Sequence, residues 1–368
     1  MQKINLNLSK FAKRTLNILL KFLPLIALIV PFTILYFYQE VAFPQYPYMI
    51  YPSDVYTDTF ETLWKGRAFY IFFAWFACLE IILGWEKLQL KISSLRSVRT
   101  LAFILALLFP TIYVIYANFY GLNAWIVDKS YEAGVVEFCD WMPLAIEHLV
   151  FAAAFTLIVF LQYGTSGLKT VIFSPILLGV IGILYTIDNV FPYGHFMPFQ
   201  ILTPATATLA QMMLNFLGYE TSLSYVESPK YGWTPILTAW DPNNPIYSRA
   251  GYHIAWVCSG IESLILYTLF MLIFLRTINL SRIQKVICFI IGGGITYLIN
   301  ILRIVIIFIL GINFGADSPE VHRFHDYYGQ LISISWIAFY PLIITASSSL
   351  WNKIKSFIGS LKSNRCFK

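Results

Sequence analysis

Residues 286–310 read VICFIIGGGITYLINILRIVIIFIL, an unbroken apolar run in which Arg303 is the only charge. At about 1.5 Å per residue, a helix of this length crosses the roughly 30 Å hydrocarbon layer of a bilayer. Working outward from it, further long apolar runs occupy 15–38, 67–85, 100–120, 143–162, 170–190, 260–277 and 330–349. The whole chain has the same character: of its 368 residues 58% are hydrophobic, 18% aromatic and only 12% charged, whereas soluble domains carry roughly a quarter charged residues. A water-soluble globule is excluded. The expectation is an all-α polytopic membrane protein of about eight transmembrane helices.

The charges set its orientation. Lys and Arg number 25 against 19 Asp and Glu, but they alternate between loops and do not collect on one basic face, so no nucleic-acid partner is implied. The first run follows Lys3, Lys10, Lys13 and Arg14 and is too long for a signal peptide, which makes it a retained span with a cytoplasmic N-terminus. Threading eight spans from there places Lys87, Lys91, Arg96, Arg99, Lys169, Arg276, Arg282, Lys285 and the basic tail on the cytoplasmic side, as the positive-inside rule requires. Acidic loop residues such as Asp54, Asp128, Asp241 and Asp317 fall outside. A multi-pass protein of the cell (plasma or inner) membrane follows, with both termini cytoplasmic.

The chain reads as a single membrane-embedded domain over 1–368: five N-terminal spans (15–190), an external or interfacial cap (191–257), a three-span core (258–349) and a basic cytoplasmic tail (350–368). Within 199–217, Leu202, Leu209, Met212 and Phe216 recur at helical spacing beside Thr203, Thr206, Gln211 and Asn215, the pattern of an interfacial or re-entrant helix. The rest of the cap holds Pro229, Pro235, Pro242 and Pro245 and reads as irregular, with short strands an option. Outer-loop Tyr46, Tyr48, Tyr51, Trp233 and Trp240 form an aromatic belt.

The cysteines, at 78, 139, 258, 288 and 366, show no CxxC pair and no metal-ligand spacing, so neither a metal nor another cofactor is called for. Cys258 stands where the cap gives way to the sixth span. A helix N-terminus there would lower its pKa and pre-activate the thiol. Ser259 can cap or donate, Gly260 admits close backbone approach, and Glu262, four residues on, shares a helix face with Cys258. Arg303 is 18 residues past Lys285, about 27 Å along a helix, which puts a guanidinium in the outer third of the membrane, where Asn300 one turn earlier is placed to orient it. His325, in the segment His322–Arg323–Phe324–His325–Asp326, returns to the same outer level. A thiolate, an imidazole and a fixed cation together suffice for acyl transfer through a thioester.

Cys258–Ser259–Gly260 at the outer start of a span, Asn300-x-x-Arg303 late in the next and His325-x-x-x-Gly329 at the start of the one after resemble the exosortase/archaeosortase family of membrane-embedded sorting enzymes. The resemblance covers roughly residues 250 to 335 in motif and most of the chain in architecture. It implies a cysteine protease-transpeptidase. Its partners would be exported proteins ending in a C-terminal sorting signal of short motif, hydrophobic helix and basic cluster, cut at the outer face, with water, a membrane lipid or another nucleophile as the acceptor. Cys258 would be the nucleophile, Arg303 the oxyanion stabiliser and His325 the acid/base, although some archaeal members use Arg in that third place, which brings in Arg323. A competing reading starts from Glu80, Glu147, His148 and Asp188 in or near spans. It makes the protein a proton- or ion-coupled transporter, with Cys258 structural or disulfide-bonded to Cys139.

Overall fold

The computed structural model describes residues 10–37, 67, 69–91, 97–136, 139–191, 200–228, 232–243, 249–329, 331–333 and 335–347. Lys3, Tyr46, Tyr48, Tyr51, Asp54, Arg96, Pro229, Pro245 and the tail 350–368 lie outside them. The chain divides into two compact units, Met1–Pro192 and Tyr193–Lys368, and the division falls just past the end of the fifth apolar run.

The first unit is helical: α1 (Lys10–Phe37), α2 (Phe69–Leu83), α3 (Val98–Phe119), α4 (Leu122–Glu132), α5 (Met142–Thr170) and α6 (Phe173–Val190). The break in α5 at Gly164 comes where the apolar run that was read as 143–162 ends. On α3, Leu101, Leu105 and Ile112 are exposed while Phe103, Ala106 and Tyr113 are buried, so apolar side chains cover the outer surface as well as the core. That distribution suits lipid as the surrounding solvent.

The polar groups of this unit serve its architecture. The Glu80 carboxylate accepts from the backbone N–H of Phe173 at 3.0 Å and of Ser174 at 2.9 Å, and from Ser174 Oγ at 2.5 Å. It thereby caps the start of α6, whose own N-cap residue Ile172 supplies no side-chain acceptor. Arg67 donates to Glu147 through Nε at 2.6 Å and Nη2 at 3.0 Å. Tyr70 adds a third bond to Glu147 at 2.6 Å, and both members of the ion pair are 2% exposed. A buried pair with its lone pairs occupied in this way is stable as a unit, and loss of one member would strand the other charge. His148 donates from Nδ1 to Leu144 O at 2.9 Å.

The second unit contains α7 (Thr203–Phe216), β1 (Glu220–Ser228), β2 (Gly232–Trp240), β3 (Arg249–His253), α8 (Ile261–Thr277), α9 (Arg282–Phe314) and α10 (Pro319–Arg323), followed by the apolar helix α11 (Leu331–Ser347). Strands β1, β2 and β3 form one antiparallel sheet in that order. The all-α expectation is corrected here: the cap, read as irregular, holds regular strands. Pro235 lies within the central strand, where proline is normally excluded. The register puts it opposite Ile254, which donates its N–H to Pro235 O at 2.9 Å. The N–H that proline lacks would face this same position, where β3 has just ended at His253, so no ladder bond within the strands is lost.

One apolar core joins the cap to the long helix: Ala207, Ala210 and Leu214 of α7, Leu237 and Ala239 of β2, Ala250 of β3, and Ile301, Ile304, Val305, Phe308 and Ile312 of α9. A capping box formed by Ser281 and Gln284 starts α9. Its middle is tied to its neighbours by Tyr267 Oη donating to Phe289 O at 2.7 Å, Tyr340 Oη to Cys288 O at 2.7 Å and Trp336 Nε1 to Thr296 Oγ1 at 3.1 Å.

Helices stand at all eight apolar runs read from the sequence. Among the described residues five of them, Thr15–Phe37, Val98–Phe119, Cys139–Thr170, Phe173–Val190 and Arg282–Phe314, are long and apolar enough to cross a membrane.

Candidate active site

The site lies wholly within the second unit. After β3 the chain makes a 3-10 turn, Trp256–Ser259, in which Cys258 N donates to Ala255 O at 3.0 Å, and then Gly260 adopts φ +87° before α8 begins at Ile261. The turn is anchored at several points. Trp256 is 1% exposed and wedges the turn in place, and Ser259, fully buried, donates its hydroxyl to Trp256 O at 2.5 Å. Asn300 on α9 donates Nδ2 to Cys258 O at 2.9 Å. Thr206 on α7 donates to Ser259 O at 3.3 Å, with the Tyr297 hydroxyl 2.7 Å from Thr206 Oγ1.

Gly260 is required twice over. Its positive φ disfavours any L side chain, and an added Cβ would stand 2.9 Å from the Asn300 amide. The close approach it permits is that of Asn300. Asn300 itself holds the turn that carries the thiol, in place of the orienting role toward Arg303 expected from their spacing. The shared helix face expected for Glu262 and Cys258 also gives way: the left-handed Gly260 separates the 3-10 turn from α8, so the i, i+4 relation does not apply across it. Glu262 lies in the first turn of α8. Cys139 and Cys258 are both free thiols.

His325 sits in a π-turn, Phe324–Tyr328, that directly continues α10. Such turns re-aim side chains and recur at functional sites. Arg303 fixes this turn by donating Nη2 to the His325 carbonyl at 2.8 Å. Its Nε is buried without a hydrogen-bond partner among the described residues. Gly329 makes room for it: a Cβ there would stand 2.7 Å from Arg303 Nε and 2.8 Å from Cδ. Arg323 is exposed.

The half-buried Cys258 thiol precedes α8, and its electrostatics follow from these neighbours. Burial pushes its pKa up, but a side-chain hydrogen bond from His325, the charges of His325 and Arg303, and a backbone hydrogen bond at Ala255 outweigh that, so the net direction is below the ordinary thiol value. Iodoacetamide labelling at Cys258, followed by peptide mass across pH, is therefore expected to show a midpoint below the usual 8.5 or so. His325→Ala is expected to move that midpoint upward. An unchanged midpoint in this variant would separate His325 from the thiol.

The structure thus gathers Cys258, Arg303, His325, Asn300, Ser259, Gly260 and Gly329 into one connected site. Thr206, Tyr297 and Trp256 were missed. The only trace of them in the sequence is a polar or bulky residue on an otherwise apolar face, which does not single them out. Among the described residues no group of three or more His, Cys, Asp or Glu side chains is placed to hold a metal ion. No curated protein and no solved structure matches the chain. The family model for transmembrane exosortases matches residues 64–342, a stretch that covers most of the chain and holds every residue of this site, so the protein belongs to the transmembrane exosortase family.

Proposed function

We propose that the protein is a membrane cysteine protease-transpeptidase that cuts exported proteins at a C-terminal sorting signal and passes the new C-terminus to a membrane lipid. The single observation that carries this reading is the connected set of Cys258, His325 and Arg303, three residues from three separate elements, in a chain of the exosortase family. Eight spans with both termini in the cytoplasm, in the plasma or inner membrane, put the site on the outer face. The alternation of basic and acidic loops supports that orientation.

In the first half-reaction the Cys258 thiolate attacks the carbonyl carbon of the scissile peptide, and the displaced π pair becomes an oxyanion. The guanidinium of Arg303 faces that charge with N–H groups left over from its bond to His325 O. Collapse re-forms the carbonyl and breaks the C–N bond, and the imidazolium of His325 gives its proton to the leaving amine. A thioester remains. In the second half-reaction a lipid hydroxyl or amine attacks the thioester, His325 takes its proton, and the thiolate leaves. His325 is favoured over Arg323 for the proton-transfer role because its side chain bonds the thiol, whereas Arg323 faces outward.

Intact-mass analysis of one processed client tests this. The expected C-terminus lacks the hydrophobic helix and basic cluster and carries the added mass of a lipid. A free carboxylate would make water the acceptor and overturn the transfer step. An intact anchor helix, or equal processing in cells lacking this protein, would overturn the whole reading.

A further inference from the structure

Among the described residues strand β3 has a free edge, and it runs into the nucleophile. The strand order β1-β2-β3 leaves β3 paired on one side only. Antiparallel ladders alternate between residues whose N–H and C=O face the partner and residues whose groups face away. The register matches Tyr252 with Leu237 and Ala250 with Ala239, and the bond from Ile254 N to Pro235 O fixes the phase. Ala250, Tyr252 and Ile254 therefore turn their backbone groups toward β2, while Arg249, Gly251 and His253 turn theirs to the open edge. No backbone hydrogen bond among the described residues takes up the outward groups of Arg249 or Gly251.

Natural proteins usually blunt such an edge with proline, an inward-pointing charge or a covering element. Here the faces are settled without closing it: Ala250 is buried, Tyr252 packs on Phe308 of α9 with ring centroids 5.0 Å apart, and Gly251 is exposed with no side chain to obstruct approach. Three residues past the strand the turn bearing Cys258 begins.

On the reading of this site as a sorting protease, we propose that β3 is the substrate-binding edge: the extended segment of a client just ahead of the cleaved bond adds to it as a fourth strand. Main-chain bonds from Arg249 and Gly251 then hold any sequence of suitable shape, and pockets on alternate side chains supply selectivity. The direction is set by topology. β3 leads from the cap into the outer start of α8, and a client chain likewise runs from its exported domain into its hydrophobic helix, so the added strand is parallel to β3. A parallel strand offers its N–H and C=O groups to one edge at every second residue.

The test uses the full-length enzyme in lipid and a synthetic client segment spanning motif, hydrophobic helix and basic cluster. The unmodified segment is first required to be cleaved by wild type and left intact by Cys258→Ala. Without that cleavage the functional reading falls, and the strand proposal with it. N-methylation is then scanned along the residues ahead of the cut. The expected result is loss of tenfold or more in kcat/KM at alternate positions and little loss between them. A flat profile, or loss confined to one residue, overturns the strand while leaving the protease reading intact.

Gly251→Pro removes an outward N–H that the fold itself does not use, a change edge strands tolerate. It is expected to raise KM about tenfold with kcat nearly unchanged. An unchanged KM in Gly251→Pro counts against the proposal. If that variant fails to accumulate, the N-methyl scan decides alone.

Discussion

Cys258→Ala is expected to stop client processing while the protein inserts and accumulates at its normal level. The thiol is half-buried, and its hydrogen bonds, to the His325 side chain and at the Ala255 backbone, stay within the site. The turn is held instead by Asn300, Thr206 and Trp256 through backbone atoms and burial, so loss of one sulfur costs little stability. Loss of a catalytic nucleophile, in contrast, lowers turnover by about a millionfold in well-studied proteases. Clients in the variant strain should keep their hydrophobic helix and run at full mass on immunoblots. Cys139→Ala, measured alongside, should process normally, because its thiol is free and belongs to the other unit. Processed clients in the Cys258→Ala strain would remove the thiol from the chemistry.

The second large effect is expected at Arg303. Its guanidinium bonds the His325 carbonyl and lowers the thiol pKa by its charge. If its remaining N–H groups also meet the oxyanion, they act more strongly in the transition state than on bound substrate. Arg303→Ala should then lower kcat by a hundred- to a thousandfold, about 3 to 4 kcal/mol, with a smaller change in KM. Arg303→Lys should recover little, since an ammonium lacks the planar fork that can hold the His325 carbonyl and face a second oxygen at once. An arginine that merely snorkels toward headgroups would be replaced by lysine almost without loss, so near-normal processing by Arg303→Lys would take Arg303 out of the site. The Cys258 labelling midpoint in the same variants separates its two effects. Only loss of the charge beside the thiol moves the midpoint, whereas loss of oxyanion stabilisation lowers kcat without moving it.

The helices were legible in the sequence because a long apolar run in a chain with so few charges has few other solutions: 286–310 and its seven companions all prove helical. Of the sheet, only short strands in the cap were open to the sequence, because Pro235 reads as a strand breaker until the end of β3 is known to lie beside it. The site showed a similar split. Cys258, Arg303 and His325, which the structure brings together, could be singled out because counting along helices put three chemically capable residues of three elements at one expected depth. What Asn300 holds was not recoverable, because it depends on the left-handed turn at Gly260 that brings the Cys258 carbonyl under its amide. Glu262 was misplaced for the same reason: helical spacing fails when the left-handed Gly260 separates Cys258 from the helix that starts at Ile261. Glu80 and Glu147 drew attention as intramembrane carboxylates, and their partners make them the cap of α6 and half of a buried ion pair.

The central claim is that Cys258 carries the client as a thioester. Its most direct test is the intact mass of the full-length enzyme, quenched in acid during turnover of a client segment. The account predicts an adduct equal in mass to the portion ahead of the cut, mapped to the peptide containing Cys258, released by neutral hydroxylamine and absent in Cys258→Ala. A client cleaved at full rate with no adduct at Cys258, or with the adduct on another residue, would contradict it.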